Sequence, residues 1–250
     1  MFNALFPDDC RVCDQPLREI HRYPVCSACL HSPLPLESEY ACAACHMPFV
    51  TPHPLDENGL CQLCRRGLTG FDGASSYGYY EGTLRKLIHL YKYHGVDTLA
   101  GPLANFLVAA LPRNQQVDWI VPVPMHWFRR WRRGYNQSEL LARELSRRTG
   151  IPMWAALRRQ RRTPPQAGLS DKERRQNLRG AFAVIESPRN RHVLLIDDVL
   201  TTGATASACG AALKLAGASA VQVLTVARVD RRLSMPAPPG RAISTTASGG

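Results

Sequence analysis

A chain of 250 residues is long enough for one large domain with an appendage, or for two small domains. Its 45% hydrophobic and 20% charged residues exclude a disordered polymer, which combines few apolar residues with high net charge. The 31 Lys and Arg outnumber the 20 Asp and Glu, and the resulting formal charge of +11 favours a polyanionic partner, either nucleic acid or a phosphorylated small molecule.

The sequence shows no targeting or membrane signal. No apolar run approaches the roughly 18 residues of a membrane-spanning helix, so no membrane span is predicted. The first ten residues, MFNALFPDDC, lack the basic and apolar regions of a secretory signal. We therefore expect a cytoplasmic protein. In the reducing cytosol, metal ligation is a better interpretation of nine cysteines than disulfide bonding.

Eight of the nine cysteines form four CxxC pairs before residue 65: Cys10/Cys13, Cys26/Cys29, Cys42/Cys45 and Cys61/Cys64. This spacing lets one tight turn place two thiolates on an ion, and two pairs complete the tetrahedral four-sulfur set that structural zinc prefers. We predict two zinc ions bound by neighbouring pairs in sequence order, because each loop then stays short. Loop entropy rises too slowly with length to exclude interleaved pairs, and a single zinc or redox-active pairs stay open.

The segment that carries these cysteines is rich in proline and has little apolar core of its own. Metal would therefore supply its folding free energy. We predict a zinc-binding module over residues 1–66.

The middle of the chain has the periodicity of alternating strands and helices. Aromatic alternation predicts a strand around 77–80, and apolar residues at helical spacing predict helices over 82–95 and 97–113. Residues 119–124 are predicted as a buried strand, followed by a helix that ends at Gly150 with Asn136 or Ser138 as its cap. Lys92, near the end of the first helix, is either a phosphate ligand or a solvated charge.

Residues 125–137, MHWFRRWRRGYNQ, interleave Trp and Phe with four arginines. Such a mixture can hold phosphates while bases stack on the rings, which favours single-stranded DNA as a partner. A helix that buries its aromatic rings and leaves its arginines in water is an equally good interpretation.

The sharpest signal is VLLIDDVLTTGATASACGAALKLAGASAVQVLTVAR, residues 193–228. The apolar run over 193–196 predicts a parallel strand covered on both faces, which ends at Asp197 and Asp198. An Ala-rich helix and a second strand complete a right-handed βαβ unit, whose ligand site lies at the carboxyl end of the first strand. Cys209, within the helix, is predicted to be a small buried packing residue.

The turn of this unit has the chemistry of a phosphate site, formed by Thr201, Thr202, Gly203, Ala204 and Thr205. Backbone N–H groups and hydroxyls at a helix N-terminus bind phosphate, whereas Asp197 and Asp198 suit neutral hydroxyls or a hydrated magnesium. The implied ligand has a phosphate on one side and a diol on the other, as a ribose 5-phosphate does. The sequence contains neither a Walker A loop nor the glycine pattern of dinucleotide folds.

The stretch VLLIDDVLTTGAT resembles the phosphoribosyl pyrophosphate (PRPP) signature of type I phosphoribosyltransferases. With the CxxC pairs, YKYHG, PVPMHWFRRWRRGYNQSELLAR and RRTPPQAGLSDKERRQNLRGAF, the chain resembles the ComF family of ComFC- and GntX-like proteins as far as about residue 228. The resemblance implies an α/β fold over residues 67–230: a type I phosphoribosyltransferase-like parallel sheet with helices on both faces, preceded by the small zinc-binding module. Residues 231–250 are predicted to be a disordered tail.

The resemblance also implies roles for individual residues. Asp197 and Asp198 would be the catalytic pair that binds the ribose hydroxyls, and the turn from Thr201 to Thr205 would bind the 5-phosphate. Met125 and His126 occupy the position of the pyrophosphate loop, and Mg²⁺ would bind together with PRPP. The basic stretch 161–177 stands where the class has its mobile loop, although a solvated hairpin is an alternative; its predicted loop residues are Arg161, Arg162, Lys172 and Arg174.

Family membership would imply DNA uptake or utilisation, with competence proteins as partners. Two functions stay open, because a fold does not establish an activity. One is a phosphoribosyltransferase with an unidentified acceptor. The other is a non-catalytic single-stranded DNA-binding adaptor whose PRPP pocket is regulatory or vestigial. The intact loop and both aspartates favour binding of a ligand, while the arginine-rich segment and the positive charge favour the adaptor.

Overall fold

The computed structural model describes residues 9–17, 22–65, 70–112, 116–125, 134–160, 178 and 180–230. Several predictions fall on other residues: His126 and the basic aromatic residues up to 133, the predicted mobile-loop residues Arg161, Arg162, Lys172 and Arg174, and the tail 231–250 lie outside the described part. Within the described residues, no helix is long and apolar enough to cross a membrane.

The strands, in chain order, are β1 (Tyr40–Ala41), β2 (Pro48–Phe49), β3 (Gly73–Tyr79), β4 (Trp119–Pro122), β5 (Leu157–Arg159), β6 (Phe182–Val184), β7 (His192–Leu200) and β8 (Ala220–Arg228). The helices are α1 (Ser27–His31), α2 (Gln62–Arg65), α3 (Gly82–Tyr93), α4 (Ala100–Ala109), α5 (Gln137–Thr149) and α6 (Ala204–Leu215), and a 3₁₀ turn (Asp97–Leu99) precedes α4. The predicted strands and helices of the core are all present within a few residues of their expected bounds.

The core is a four-stranded parallel sheet in the order β3-β8-β7-β4. Alternate residues of its central strands point to opposite faces, so Leu194 and Leu224 lie in one cluster of buried side chains and Leu195 and Val223 lie in the other. Helices α3, α4 and α5 cover the first face and α6 covers the second. The predicted α/β fold with helices on both faces is confirmed.

Strand β7 is longer than predicted. The prediction ended the strand before Asp197, whereas β7 continues to Leu200. The physical reason is unequal pairing: β4 stops pairing where Pro122 meets Ile196, but β8 continues to the pair Leu200–Arg228. Asp197 and Asp198 therefore lie within β7, at the point where the sheet loses one neighbouring strand.

Helix α5 illustrates why these segments are helical. Its buried positions, Leu141, Ala142 and Leu145, recur at three- and four-residue intervals, which places them on one face. Gly150 ends the helix in a left-handed conformation with φ of 75°, as predicted from a glycine after the last apolar turn.

The cysteine-rich segment does not fold apart from the sheet. Cys10 and Cys29 belong to the buried cluster on the α3 face, whereas Cys42 and Cys61 belong to the cluster on the α6 face. Two backbone hydrogen bonds join this segment to the edge strand β3: the Leu36 N–H, between the two halves, donates to the Tyr77 carbonyl, and the Ala74 N–H donates to the carbonyl of Ala44 in the second half. An uncovered edge strand invites pairing with other chains, so this segment also protects the sheet.

Strands β5 and β6 form a separate antiparallel pair, with Leu157 opposite Val184 and Arg159 opposite Phe182. The residues between these strands include the predicted mobile loop. The pair lies on the α6 side, where Leu157 and Phe182 join the buried cluster of that face.

Candidate functional site

The eight cysteines of the CxxC pairs form two clusters in sequence order. Cys10, Cys13, Cys26 and Cys29 make the first cluster, and Cys42, Cys45, Cys61 and Cys64 make the second. Within each cluster all four Sγ atoms lie within 4.8 Å of one another. The predicted sequential pairing is confirmed and interleaving is wrong. No histidine belongs to either cluster, as far as the described residues extend.

The sulfur spacing fits zinc. A tetrahedral site with Zn–S bonds of about 2.3 Å places its sulfurs about 3.8 Å apart. Cys13 Sγ lies 3.8 Å from Cys26 Sγ, and Cys45 Sγ lies 3.7 Å from Cys61 Sγ. Each cluster also has a thiol that accepts a backbone N–H: Cys26 donates to Cys10 Sγ and Cys61 donates to Cys42 Sγ, both at 3.3 Å. Two four-cysteine clusters of this geometry could bind zinc.

The two clusters are built alike. In each, the residue after the first CxxC pair has a left-handed backbone, with φ of 59° at Asp14 and 51° at His46. The N–H of this residue bonds to the carbonyl of the first cysteine, at 2.8 Å for Cys10 and 2.9 Å for Cys42. The second CxxC pair of each cluster then opens a short helix, α1 or α2. The sequence repeat of CxxC pairs is therefore also a structural repeat.

The second group of predicted residues surrounds the carboxyl end of β7. Asp197 Oδ1 accepts hydrogen bonds from Ser138 Oγ and from the backbone N–H of Asp198, both at 2.9 Å. The neighbouring carboxylate, Asp198, is paired with Lys92 at 2.8 Å between Nζ and Oδ1. The Lys92 and Asp198 side chains are 16% and 12% exposed, so the pair is largely shielded from water.

Burial and neighbouring charges determine the protonation states of Asp197 and Lys92. Burial, reinforced by the negative charge of Asp198, raises the pKa of Asp197 to about 7, although Lys92 opposes the shift. Burial alone would lower the pKa of Lys92, but the Asp198 carboxylate outweighs burial and raises it. Lys92 is therefore held as an ammonium ion beside Asp198, and Asp197 changes charge near neutral pH.

The predicted phosphate loop follows directly. Thr201 and Thr202 lie in the bend after β7, and Gly203 begins α6 with φ of 74°, a left-handed conformation that glycine adopts without strain. Thr202 Oγ1 accepts the N–H of Ala204 at 3.3 Å. Ala204 and Thr205 form the first turn of α6, whose N–H groups have no carbonyl partner within the helix. A short run thus joins two carboxylates to a helix N-terminus.

Met125 leaves the sheet beside this group. The last bond between β4 and β7 runs from Val123 N–H to the carbonyl of Ile196 at 2.9 Å, and the chain continues through Pro124 to the half-buried Met125. The predicted pyrophosphate-loop position is therefore next to Asp197 along the sheet edge.

Sequence reasoning missed the residues that support the aspartates. Ser138 was considered only as a helix cap, yet it donates to Asp197. Asn136 occupies the cap position, but its side chain donates to the carbonyl of Val123 at 3.2 Å instead of capping α5. Tyr91 is fully buried and donates to the carbonyl of Gln137 at 2.7 Å, which joins α3 to α5. The only signal in the sequence was the run of small polar residues at the start of α5.

Cys209 is fully buried in α6, as predicted. Burial raises the pKa of its thiol well above the ordinary value, which keeps it protonated and unreactive.

A cleft of about 590 Å³ lies away from the aspartates, between α4, α5 and the first cysteine-rich half. Its walls include four arginines: Arg22, Arg143, Arg147 and Arg148. Arg148 is bonded to Glu144 and to the carbonyl of Gly101, and Arg147 is paired with Glu144 at 3.1 Å. The cleft is therefore basic, but part of its charge is compensated.

Comparison with known proteins identifies a domain family for the second half of the chain. The phosphoribosyl transferase domain family matches residues 131–239. A solved glutamine PRPP amidotransferase from B. subtilis aligns with a TM-score of 0.38 and 22% identity, over 52% of this chain and 26% of that one. That likeness is too remote to indicate an activity.

Two curated relatives cover most of the chain. Competence protein F of Haemophilus influenzae is 37% identical over 178 residues, which are 67% of this chain and 78% of that protein. DNA utilization protein YhgH of Escherichia coli K12 is 32% identical over 230 residues, which are 89% of this chain and 97% of that protein. With both cysteine clusters and the loop in place, the chain belongs to the ComF family of competence and DNA utilization proteins and contains a phosphoribosyl transferase domain.

Proposed function

We propose that this chain is a cytoplasmic protein that binds PRPP or a related ribose 5-phosphate and acts in the uptake or utilisation of DNA. The observation that carries the proposal is the order of groups along β7 and α6. Two largely buried carboxylates are followed, five residues after Asp198, by a left-handed glycine at the start of a helix. This order suits a ligand with a diol at one end and a phosphate at the other.

Different residues around the aspartates would bind different parts of the ligand. Asp197 and Asp198 would accept the ribose hydroxyls, because carboxylates accept hydrogen bonds and repel phosphate. The N–H groups and hydroxyls from Thr201 to Thr205 would hold the 5-phosphate, and Met125 and His126 would lie beside the pyrophosphate. Mg²⁺ bound with the ligand would supply positive charge to the pyrophosphate oxygens.

Two side chains near the aspartates, Asn136 and Lys92, support the binding of a polar ligand. Asn136 is 8% exposed, and its Oδ1 atom has no hydrogen-bond partner among the described residues. A buried acceptor without a partner costs about 1–3 kcal/mol, so a donor from a ligand would remove a real penalty. Lys92 places a cation beside Asp198, where it would also contact a ligand phosphate, in line with its predicted role as a PRPP ligand.

Thermal unfolding with and without ligand tests this proposal. PRPP with Mg²⁺ should raise the Tm, because a ligand that binds only the native state stabilises it by mass action. Ribose 5-phosphate and pyrophosphate, tested separately, should each give smaller shifts. Asp198→Asn should reduce the PRPP shift, whereas Glu186→Gln, which changes an exposed carboxylate elsewhere in the domain, should not. No shift in the wild type at millimolar PRPP would refute the site.

Transfer of the phosphoribosyl group to an acceptor is a separate question. In this chemistry positive charge develops at the anomeric carbon as pyrophosphate leaves. The described residues suggest no base that would activate an acceptor. Incubation with labelled PRPP across nucleobases and single-stranded DNA, followed by product analysis, distinguishes an enzyme from a binding protein.

The basic cleft favours a second candidate function, the single-stranded DNA-binding adaptor. Phosphate contacts release counterions, so the logarithm of the DNA affinity should fall linearly with the logarithm of the salt concentration. The slope is about 0.7 per phosphate contact for single-stranded DNA. The double change Arg143→Gln and Arg147→Gln should lower that slope by about 1.4 if both side chains contact phosphates. Titration with and without saturating PRPP shows whether the two ligands share a surface. Absence of DNA binding at low salt would exclude the adaptor.

A further inference from the structure

A buried arginine lies against the second cysteine cluster. Arg228, the last residue of β8, is 4% exposed, and its NH1 group donates to the carbonyl of Cys45 at 2.6 Å. Its Nε–H has no hydrogen-bond partner among the described residues. A buried guanidinium with an unused donor requires a compensating negative group nearby.

Zinc in this cluster would provide that negative group. Four thiolates around one divalent cation leave two net negative charges, and here Cys42, Cys45 and Cys61 are buried. Arg228 lies within hydrogen-bond distance of the Cys45 backbone, so its positive charge is next to a member of this cluster. Arg228 is the buried cation at this cluster within the described part of the chain.

We propose that Arg228 is the charge partner of the second metal site and positions its first CxxC pair against the sheet. The inference rests on zinc occupancy of that cluster and is independent of PRPP binding. Groups outside the ligand sphere orient metal ligands and tune their charge, and their loss typically costs about 10–100-fold in metal affinity. Arg228 does so from the core of the protein, not from the cysteine-rich segment.

The same residue connects the cluster to the predicted phosphate loop. Arg228 pairs with Leu200 in the register of β8 and β7, and Leu200 directly precedes Thr201. The N–H of Val229 bonds to the carbonyl of Leu200 at 3.1 Å. A shift of Arg228 would therefore also move Leu200 and the start of the loop.

The first cluster has a weaker counterpart. Lys86 of α3 donates from Nζ to the carbonyl of Val12, between the two cysteines of the first CxxC pair, at 2.8 Å. Lys86 is an exposed residue, so water screens its charge. A cation from outside the cysteine-rich segment thus contacts each cluster, but of these two residues only Arg228 is shielded from solvent.

Zinc release from the intact protein tests the proposal. The wild type is first assayed for two zinc ions per chain, which tests occupancy by itself. Release to a chromogenic chelator is then followed for the wild type, Arg228→Met, Arg228→Lys and Lys86→Met. Mass spectrometry of alkylated cysteines identifies the cluster that opens.

Arg228→Met should release zinc from the second cluster about 10–100-fold faster and leave the first cluster unchanged. Arg228→Lys retains the charge and should stay within about threefold of the wild type. Lys86→Met should change release from the first cluster by less than threefold. A folded Arg228→Met protein that releases both ions at the wild-type rate would overturn the proposal. If Arg228→Met does not fold, Arg228→Lys decides: loss of the second zinc from this folded variant also overturns it.

Discussion

Asp197 is held in an environment that opposes its own charge. It is half-buried beside Asp198, and its removal from water together with the Asp198 charge outweighs Lys92 and the hydrogen bond from Ser138. Its folded pKa of about 7 exceeds the ordinary value of 3.8. The folded state therefore keeps a proton that the unfolded chain has lost, and the free energy of unfolding falls as pH rises from about 4 to about 7.

Asp197→Asn should remove this penalty. The amide stays neutral and its oxygen can still accept from Ser138, so the ligand-free variant should be more stable than the wild type at pH 8. The expected gain in Tm is about 2–8 °C, which corresponds to about 1–2 kcal/mol for a chain of this size. The gain should shrink to near zero at pH 4.5. Thermal melts of both proteins across this range check it, and a variant less stable than the wild type at pH 8 would contradict the account.

Lys92 compensates the second carboxylate. Lys92→Met should leave Asp198 largely buried without its partner, and loss of one member of a buried pair costs about 3–5 kcal/mol. Because this pair keeps some exposure, we expect about 2–4 kcal/mol from urea unfolding. Lys214→Met is the matched control, since its pair with Asp72 is 34% and 37% exposed and should contribute less than about 1 kcal/mol. Equal losses for the two variants would show that Lys92 is an ordinary surface charge.

At the scale of elements, α6 sets the position of the loop. Gly203 precedes its first residue, and about two turns further on, at Gly210, the helix packs against the chain that enters β3. A Cβ on Gly210 would lie 2.1 Å from the carbonyl oxygen of Gly70, so only glycine allows this approach. Gly70 also donates its N–H to Ser207 Oγ at 3.2 Å. The entry to the sheet and the loop helix are thus fixed to each other.

Gly210→Ala should separate these two segments. Alanine favours a helix by about 1 kcal/mol over glycine, but the backbone clash should reverse the sign and give a net loss of about 1–3 kcal/mol. Gly101→Ala in α4 is the control, because a Cβ there meets only the Arg148 side chain at 3.6 Å, and it should be neutral or stabilising. Chemical unfolding compares the two, and a stabilised Gly210→Ala protein would contradict the packing described.

Elements were more predictable from sequence than the contacts between them. The helix before Gly150 and the strand before the aspartates follow from local periodicity, and the cysteine clusters follow from local spacing. The bond between Ser138 and Asp197 and the packing of Gly210 on Gly70 join residues 59 and 140 positions apart. No local pattern specifies such pairs. The extension of β7 beyond Asp197 has the same origin, since it depends on which neighbouring strand continues.

At the scale of the whole molecule, the two cysteine clusters lie on opposite faces of one sheet. Each contributes cysteines to the group of buried side chains on its own face. Sequence reasoning predicted a module over 1–66 with little core of its own, and that boundary stays a prediction. The packing explains how so small a segment can be stable, because it uses the apolar surface of α3 on one face and of α6 on the other.

Removal of zinc should therefore affect the sheet as well as the cysteine-rich segment. With a chelator, we expect a lower Tm and faster amide exchange along β3, because the N–H of Ala74 bonds to the carbonyl of Ala44 in the second half. Amides of β7 and β8 should change less. Unchanged exchange in β3 after complete metal removal would show that the cysteine-rich segment folds without metal.

The account as a whole depends on PRPP binding at the aspartates and the loop. The most direct measurement is calorimetric titration of PRPP at saturating Mg²⁺, at pH 6 and at pH 8. With a pKa of about 7, Asp197 is ionised in about one molecule in eleven at pH 6 and in about ten in eleven at pH 8. If ribose hydroxyls donate to the ionised carboxylate, one PRPP should bind per chain and the affinity should be about tenfold higher at pH 8. No binding at millimolar PRPP, or equal or tighter binding at pH 6, would contradict the account.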